Sequence, residues 1–310
     1  MGNEKIIIIG GGAWGNTIGY LLNRSNHQYQ LWSRSVKDSL ATMVKDADII
    51  ISAVSMKGVK DVITTLGSID LNPDIIIVTA TKGLDLETTY TPSQIWHKAF
   101  PHNPIVVLSG PNLAKEIQRG LPAATVVSSK NSTSAELVQS VFASDIFRVY
   151  VNDDPIGTEL GGTLKNVMAI ASGVCDGLEL GTNAKAALLT RALPEMIRVG
   201  VKLGARVETF FGLSGLGDLL ATSDSHLSRN YQVGFGLAKG KTLPEILAQL
   251  EGTAEGINTT NVLIKLAQKQ HISVPITYQI YLLLQEKITP EIAVKNLMAR
   301  ELKEEFYFDN

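Results

Sequence analysis

Several polar clusters in the sequence have residue types that suit binding of an anionic group. Ser228, Arg229 and Asn230 follow one another after a polar loop, and an arginine grips a phosphate through two N–H groups. Asp218 and Thr222 are four residues apart, so their side chains share a face if this segment is helical. The triplet is therefore a candidate phosphate clamp, with ordinary solvated loop polarity as the alternative.

Two lysines stand at positions where a cation is unusual. Lys82 comes just after a strongly apolar run, and Lys165 lies beside the apolar stripe of a long predicted helix. A helical side chain leans back over the preceding turn, so Lys165 is expected to lie over Gly161 and Gly162. Each glycine costs a helix about 1 kcal/mol relative to alanine. The pair therefore predicts close approach of another backbone or of a ligand.

A glycine-rich turn follows the first apolar run of the chain. Gly10, Gly12 and Gly15 occupy the fixed places of the pattern G-x-G-x-x-G, with Ala13 and Trp14 between them. The first glycine permits a tight turn, the second lets the backbone approach a pyrophosphate, and the third lets helix pack on strand. The helix N-terminus then faces the negative phosphates. The turn predicts a dinucleotide site that includes all five residues.

The residue that reads the adenosine ribose should follow the second predicted strand. An acid there hydrogen-bonds the 2′-OH of NAD, but this sequence has Trp32, Ser33 and Arg34. Arg34 can stack on an adenine or pair with a 2′-phosphate, unless it is an ordinary surface charge. We therefore expect NADP(H) to be accepted, with NAD(H) possible as well.

These groups need a sheet and a set of helices to position them. The runs apolar at every position are typical of strands covered on both faces, so the sheet should be mostly parallel and doubly wound. After Asp154 and Pro155, which suit a helix start, the periodicity is almost only helical. We predict a Rossmann-like α/β domain over residues 1–151 and an all-α domain over 152–310. The predicted strands are Lys5–Ile9, Tyr29–Trp32, Asp48–Val54, Asp74–Thr79, Ile105–Leu108, Ala124–Ser128 and Phe147–Tyr150.

Composition excludes several classes of protein. The 28 basic and 30 acidic residues give a net charge of −2, which argues against a nucleic-acid binder. No apolar run reaches the roughly 20 residues that span a bilayer, so we expect no membrane insertion. The single Cys175 suits a reducing cytoplasm, and the five histidines have no metal-ligand spacing. We therefore expect a cytoplasmic protein without a metal.

The ordered set of motifs resembles the NAD(P)-dependent sn-glycerol-3-phosphate dehydrogenases of bacteria, over almost the whole chain. The motifs that carry this resemblance are Gly-Gly-Gly-Ala-Trp-Gly at 10–15, Thr-Lys-Gly at 81–83, Ser-Gly-Pro-Asn at 109–112, Gly-Thr-Leu-Lys-Asn at 162–166, Gly-Leu-Gly-Asp-Leu at 215–219, Ser-Arg-Asn at 228–230 and Glu-Gly at 255–256.

The resemblance implies reduction of dihydroxyacetone phosphate to sn-glycerol 3-phosphate, a phospholipid precursor, with Lys165 as proton donor. Such a reduction builds negative charge on oxygen, which a nearby ammonium stabilises and protonates. Burial and Lys82 should lower the pKa of Lys165, while Asp218 should oppose this and orient the lysine. The substrate residues implied are Lys82, Gly110, Asn112, Lys165, Asn166, Asp218, Thr222, Ser228, Arg229 and Asn230. To the glycine-rich turn and Arg34, the resemblance adds the cofactor residues Lys82, Ala114, Arg229, Thr253 and Glu255.

Two departures from the family pattern stand out. The family more often has Ser or Thr where Asn112 stands. The segment from Arg34 to Ala47 has room for one helix, about Val36–Lys45, so we predict that the edge strand beyond the second strand is absent.

Two other functions are compatible with the motifs. One is another two-domain dehydrogenase for a hydroxyacid or hydroxyacyl substrate, although a hydroxyacyl-CoA enzyme is expected to use a His–Glu pair and the helix at 160–181 has no histidine. The other is a non-catalytic dinucleotide sensor, which has no need of Lys82, Lys165, Asp218 and Arg229 together. A homodimer is a candidate assembly.

Overall fold

The first half of the chain builds a seven-stranded sheet. The computed structural model describes residues 4–36, 38–67, 69, 71–302 and 304–305. All seven predicted strands form, with ends that differ by at most two residues from the prediction. They are β1 (Ile6–Ile9), β2 (Tyr29–Trp32), β3 (Ile49–Ser52), β4 (Ile76–Thr79), β5 (Ile105–Ser109), β6 (Ala123–Ser128) and β7 (Phe147–Asn152).

The strands follow the order β2-β1-β3-β4-β5-β6-β7. All neighbouring pairs are parallel except β5 and β6, which run antiparallel. This confirms the mostly parallel sheet. Within the described residues β2 is the edge of the sheet, as the short segment after Arg34 predicts.

Both faces of the sheet are covered by apolar side chains. Ile6 and Ile8 of β1 belong to one core cluster, while Ile7 and Ile9 belong to a second cluster on the opposite face. Since successive side chains of a strand point to opposite faces, a run of four isoleucines satisfies both cores at once. Strands β1 to β5 run in the same direction, so their carboxyl ends meet at one edge, where ligands of open α/β sheets bind.

Short helices connect these strands. They are α1 (Ala13–Arg24), α2 (Leu40–Val44), α3 (Met56–Leu66), α4 (Pro92–Ala99), α5 (Ala114–Gln118) and α6 (Ser132–Phe142). The helix predicted at Val36–Lys45 was too long, because Ser33 and Val36 form a turn and Ser39 is the N-cap that precedes α2. Residue 37 of that prediction lies outside the described residues.

The second half of the chain is helical from Pro155 onward. Asp154 caps the first helix by accepting the N–H of Gly157 at 3.1 Å, and Pro155 fills the first turn, as predicted. The helices are α7 (Pro155–Gly177), α8 (Gly181–Lys202), α9 (Val207–Phe210), α10 (Asp218–Ser223), α11 (Arg229–Ala238), α12 (Leu243–Gln249), α13 (Glu255–Gln270), α14 (Pro275–Leu284) and α15 (Pro290–Met298). A π-helical turn, Leu213–Gly217, leads into α10.

Helix α7 is the centre of the helical half. Leu160, Leu164 and Val167 are buried as the apolar stripe predicts. Helix α11 crosses α7 at backbone contact, because a Cβ on Gly234 would overlap the carbonyl oxygen of Ile170. This close crossing sets the N-terminus of α11 beside the middle of α7. No helix within the described ranges has the length and apolarity to cross a bilayer.

Candidate active site

The carboxylate of Asp218 joins the two lysines singled out in the sequence. Its Oδ2 lies 2.5 Å from Nζ of Lys82, and its Oδ1 lies 3.0 Å from Nζ of Lys165. Lys82 comes from the carboxyl edge of the sheet after β4, Lys165 from the middle of α7, and Asp218 from the first turn of α10. Three separate elements therefore converge on one ion cluster between the sheet and the helices.

A threonine completes this cluster. Lys165 donates to Oγ1 of Thr222 at 2.5 Å, and that hydroxyl donates to Oδ1 of Asp218 at 3.2 Å. Asp218 and Thr222 share a face of α10, as their spacing predicts. Asp218 and Thr222 are each 2% exposed and Lys165 is 7% exposed, so the lysine is held in one orientation away from bulk water.

Burial and charge set the protonation of this cluster. Burial is the largest cause that lowers the pKa of Lys165, to about 8. Asp218 opposes the decrease, whereas the positive charges of Lys82 and Arg229 add to it. Burial alone raises the pKa of Asp218, but the two lysines outweigh it and hold the pKa below its usual value. The cluster thus contains an ionised carboxylate and a lysine that exchanges its proton near neutral pH.

The two glycines of α7 are explained by contacts with protein groups. A Cβ on Gly161 would lie 2.8 Å from the carbonyl oxygen of Ser214 in the π-helical turn. A Cβ on Gly162 would overlap the Ser109 hydroxyl and lie 3.2 Å from Cε of Lys82. The expected close approach therefore exists on both glycines, and Gly162 leaves room for the Lys82 stem rather than for Lys165.

The predicted anion-binding triplet lies at the N-terminus of α11. Ser228 caps the helix, and its hydroxyl accepts the N–H of Tyr231 at 3.3 Å. Arg229 is exposed and makes no ion pair within the described part of the chain. Its positive charge acts on Lys165, so the guanidinium is near the ion cluster.

Two buried asparagines connect this helix to α7 and α13. Asn230 donates to Oδ1 of Asn166 at 2.9 Å and accepts the N–H of Gly256 at 2.9 Å. The sequence predicted both asparagines as site residues but gave no sign of this chain of bonds. It holds the start of α13 in place, and with it Glu255.

The glycine-rich turn has the shape that a pyrophosphate needs. Gly10 has φ of +123°, and a Cβ there would lie 2.7 Å from the carbonyl oxygen of Ala53. A Cβ on Gly15 would overlap the carbonyl oxygen of Gly10, so helix and strand pack directly. At Gly12, by contrast, no atom lies within 4 Å of the added Cβ. The turn therefore fits a dinucleotide that approaches over Gly12.

The other residues predicted for the cofactor lie in separate short segments of the chain. Ala13 is exposed and Trp14 half-buried in the first turn of α1, and Arg34 is exposed in the turn after β2. Ala114 is half-buried at the start of α5, and Thr253 is exposed in the loop before α13.

Glu255 lies between the helical half and the sheet half. Its Oε1 accepts the N–H of Met56, the first residue of α3, at 3.4 Å. Burial raises the pKa of this carboxyl, and Arg229 partly opposes the increase. The sequence did not predict the contact with Met56, because the partner is a backbone group in a distant element.

Gly110 and Asn112 lie on the loop after β5. The carbonyl of Gly110 accepts from Nζ of Lys82 at 3.1 Å, which orients the lysine. The amide of Asn112 accepts from Oγ1 of Thr125 at 2.9 Å and donates to the carbonyl of Ala124 at 3.3 Å. Asn112 is thus bonded to β6, and its contact with substrate stays a prediction.

This fold and site define a nicotinamide-dependent dehydrogenase with a Rossmann-like half and a helical half that carries a buried lysine. No cluster of metal-binding side chains occurs among the residues that the structure describes. The family models for the NAD-dependent glycerol-3-phosphate dehydrogenase N-terminus and C-terminus match residues 35–135 and 154–295. The chain belongs to the NAD-dependent glycerol-3-phosphate dehydrogenase family.

Relatives and solved structures agree with this assignment. The chain is 62% identical over 302 residues to a glycerol-3-phosphate dehydrogenase (NAD(P)+) of Synechocystis sp., covering 97% of this chain and 95% of the relative. It is 59% identical over 306 residues to the protein of the same name from Trichormus variabilis, covering 99% and 100%. The crystal structure of glycerol-3-phosphate dehydrogenase from Coxiella burnetii superposes with a TM-score of 0.90 at 33% identity, covering 96% and 99%.

Proposed function

We propose that the protein catalyses the reversible reduction of dihydroxyacetone phosphate to sn-glycerol 3-phosphate with NADPH or NADH. The observation that carries the proposal is the cluster in which Lys82 and Lys165 share the buried carboxylate of Asp218 at the carboxyl edge of the sheet. The names of the relatives support the same substrate pair. The product would supply phospholipid synthesis.

Lys165 is the proton donor in this proposal. A nicotinamide cofactor held at the glycine-rich turn would supply the hydride for C2 of the ketone. Nζ of Lys165 delivers the proton to the carbonyl oxygen. Ketone, hydride and proton together give the secondary alcohol, and the neutral lysine regains its proton from solvent. A lysine with a pKa of about 8 retains its proton at neutral pH yet releases it readily. In the direction of oxidation the neutral lysine accepts the hydroxyl proton.

Lys82 and Asp218 prepare this step without transferring the proton themselves. The ammonium of Lys82 adds positive charge where the oxygen becomes negative, in a site shielded from water. Asp218 orients both lysines and remains ionised between them. Thr222 holds Nζ of Lys165 at a fixed position.

Arg229 is proposed as the partner of the substrate phosphate. It is the first residue of α11, its side chain is exposed, and its charge reaches the lysine cluster. The positive end of the ten-residue α11 and the Ser228 cap point to the same place. Asn166 follows Lys165 in the chain, Asn230 follows Arg229, and the two amides are bonded to each other, which supports both as substrate contacts.

The cofactor is proposed to lie over Gly12, with its adenosine end toward Arg34. The open space at Gly12 supports the pyrophosphate position, and the exposed Arg34 supports acceptance of a 2′-phosphate. Ala13, Trp14, Ala114, Thr253 and Glu255 complete the proposed cofactor contacts, and Gly110 and Asn112 the substrate contacts.

A turnover assay tests the proposal directly. Purified protein with dihydroxyacetone phosphate should oxidise NADPH or NADH, monitored by loss of nicotinamide absorbance. Cofactor binding without turnover of this substrate would instead indicate the dinucleotide sensor, and turnover only with another ketone would indicate a different dehydrogenase.

Three further expectations stay predictions. We place the boundary between the two domains at residues 151 and 152, beside the end of β7 at Asn152 and three residues before α7 begins at Pro155. Limited proteolysis checks that boundary, sedimentation of the purified protein checks the homodimer, and cell fractionation checks the cytoplasmic location.

A further inference from the structure

Helix α7 carries a buried acid that takes no part in the proposed proton transfer. Glu159 lies six residues before Lys165 and is 1% exposed. The groups that act on its pKa are burial and the hydroxyl and N–H groups of the segment at 91–93, with no cation among them. Placing a carboxyl in such surroundings is costly, so its partners matter.

Those partners belong to the first turn of α4, in the sheet half of the molecule. Oε1 of Glu159 accepts the backbone N–H of Ser93 at 2.9 Å, and Oε2 accepts the Ser93 hydroxyl at 2.5 Å. The first N–H groups of a helix have no partner within the helix, and a carboxylate is favourable there. Glu159 therefore connects α7 in the helical half to α4 in the sheet half through two hydrogen bonds.

A second bond on the same face of α7 strengthens this connection. Thr163, one turn after Glu159, accepts the N–H of Gly83 on its hydroxyl at 3.0 Å. Between them, Gly162 leaves room for the stem of Lys82, whose Cε would lie 3.2 Å from an added Cβ. One face of α7 thus meets the segment from Lys82 to Ser93 at three successive points.

We propose that Glu159 is a positioning residue, which sets Lys165 opposite Lys82 by fixing α7 along its axis against the segment from Lys82 to Ser93. A helix rises about 1.5 Å per residue, so a slip of one residue would remove Lys165 from Oδ1 of Asp218. A misplacement of about 1 Å in an active site costs about 100-fold in rate. The inference rests on the proposed function of Lys165.

The chain supplies a matched control in Glu195. This second buried acid, also 1% exposed, accepts the N–H groups of Ile276 and Thr277 at 2.9 and 2.8 Å in the first turn of α14. Both residues belong to the helical half, as does Arg198, whose charge also acts on this carboxyl. Glu159→Leu and Glu195→Leu should therefore lower the thermal midpoint of unfolding by similar amounts. Only Glu159→Leu should displace Lys165 from its position beside Asp218.

The experiment compares these variants in turnover and in the titration of Lys165. We expect Glu159→Leu to lower kcat by about 100-fold with cofactor Kd unchanged, and Glu195→Leu to leave kcat within about threefold. In Glu159→Gln one oxygen still accepts the Ser93 N–H and the NH₂ donates to the hydroxyl, so kcat should return to within about threefold of the wild type. Equal losses of kcat in the two leucine variants, or no rescue by Gln, would overturn the proposal.

A readout independent of turnover separates this inference from the proposed function. The pH dependence of Lys165 acylation by an amine-directed reagent, followed by mass spectrometry, reports the titration of that lysine in the absence of substrate. The pH midpoint of Lys165 acylation should differ from the wild-type value in Glu159→Leu and equal the wild-type value in Glu195→Leu. An unmoved midpoint contradicts the role of Glu159 even if the wild type reduces dihydroxyacetone phosphate. A moved midpoint supports it even if another ketone proves to be the substrate.

If Glu159→Leu fails to fold, Ser93→Ala provides the same test from the other side. It removes the hydroxyl partner and keeps the backbone bond to Oε1. We expect a decrease in kcat of about threefold to tenfold and a smaller displacement of the Lys165 midpoint in the same direction. Wild-type values of both would overturn the proposal.

Discussion

Asp218→Asn removes the one negative charge that Lys82 and Lys165 share, and the pH profile should show it. In the wild type, reduction needs Lys165 protonated, so kcat/KM for dihydroxyacetone phosphate should fall as the pH rises through about 8. Asp218 raises the pKa of Lys165, whereas Lys82 and Arg229 lower it. With Asn at 218 only the lowering influences remain, and the profile should fall at a lower pH.

The size of this displacement follows from the distance. At 3.0 Å, with an effective dielectric constant of about 20, the attraction between Lys165 and Asp218 is about 5.5 kcal/mol. Rearrangement of Lys82 and entry of water offset much of it, and an opposite charge this close typically changes a pKa by about 1–3. The midpoint for reduction should therefore fall by about 1–3 pH units, and the smaller protonated fraction of Lys165 should lower activity at pH 7.5 by about 3-fold to 200-fold.

The assay measures kcat/KM in both directions between pH 5 and 10. Oxidation of sn-glycerol 3-phosphate needs neutral Lys165, so its rising limb should move down in pH together with the falling limb of reduction. Asp145→Asn is the control, because this exposed acid pairs with Arg24 in the sheet half and should leave both limbs in place. Unmoved limbs in Asp218→Asn, or a displacement to higher pH, would refute the assignment of Lys165 as the titrating group.

Three further substitutions probe the ends of the proposed site. Gly12→Ala should fold with an unchanged thermal midpoint, because no atom lies within 4 Å of the new Cβ, yet it should raise the cofactor Kd at least about tenfold; unchanged binding in a calorimetric titration would contradict the pyrophosphate position. Arg229→Ala should raise KM for dihydroxyacetone phosphate about 10–100-fold by removing a charge-assisted contact, and an unchanged KM would exclude the phosphate role. Arg34→Ala should raise KM for NADPH about tenfold and KM for NADH less than about twofold, and equal effects on the two cofactors would exclude recognition of the 2′-phosphate.

Local patterns were sufficient to predict the sheet. A run such as Ile6–Ile9 is apolar at every position because both faces of β1 are covered, and the sequence shows this directly. The spacing of the glycine-rich turn is also visible locally, since Gly15 packs against the carbonyl of Gly10, although the second contact of Gly10 is with Ala53, just after β3. The short segment after Arg34 likewise predicted β2 at the edge of the sheet.

Local sequence patterns could not predict the contacts between distant elements. Lys82 and Lys165 could be singled out, but their meeting on Asp218 depends on how α7 and α10 pack on the sheet. No sequence pattern marked Glu159 as a contact residue, because its partners are a backbone N–H and a hydroxyl in α4. The predicted ends of α2 were also wrong. Periodicity alone predicts an earlier start, but the residues Ser33–Val36 form a turn and the helix begins after it.

The most direct test of the account is the single-turnover rate of Lys165→Ala with saturating NADPH and dihydroxyacetone phosphate. Removal of a general acid should lower this rate by about 10²–10⁴-fold, while the Kd for NADPH stays within about threefold of the wild type. A Lys165→Ala protein that reduces the ketone within about tenfold of the wild-type rate would show that the proton comes from another group.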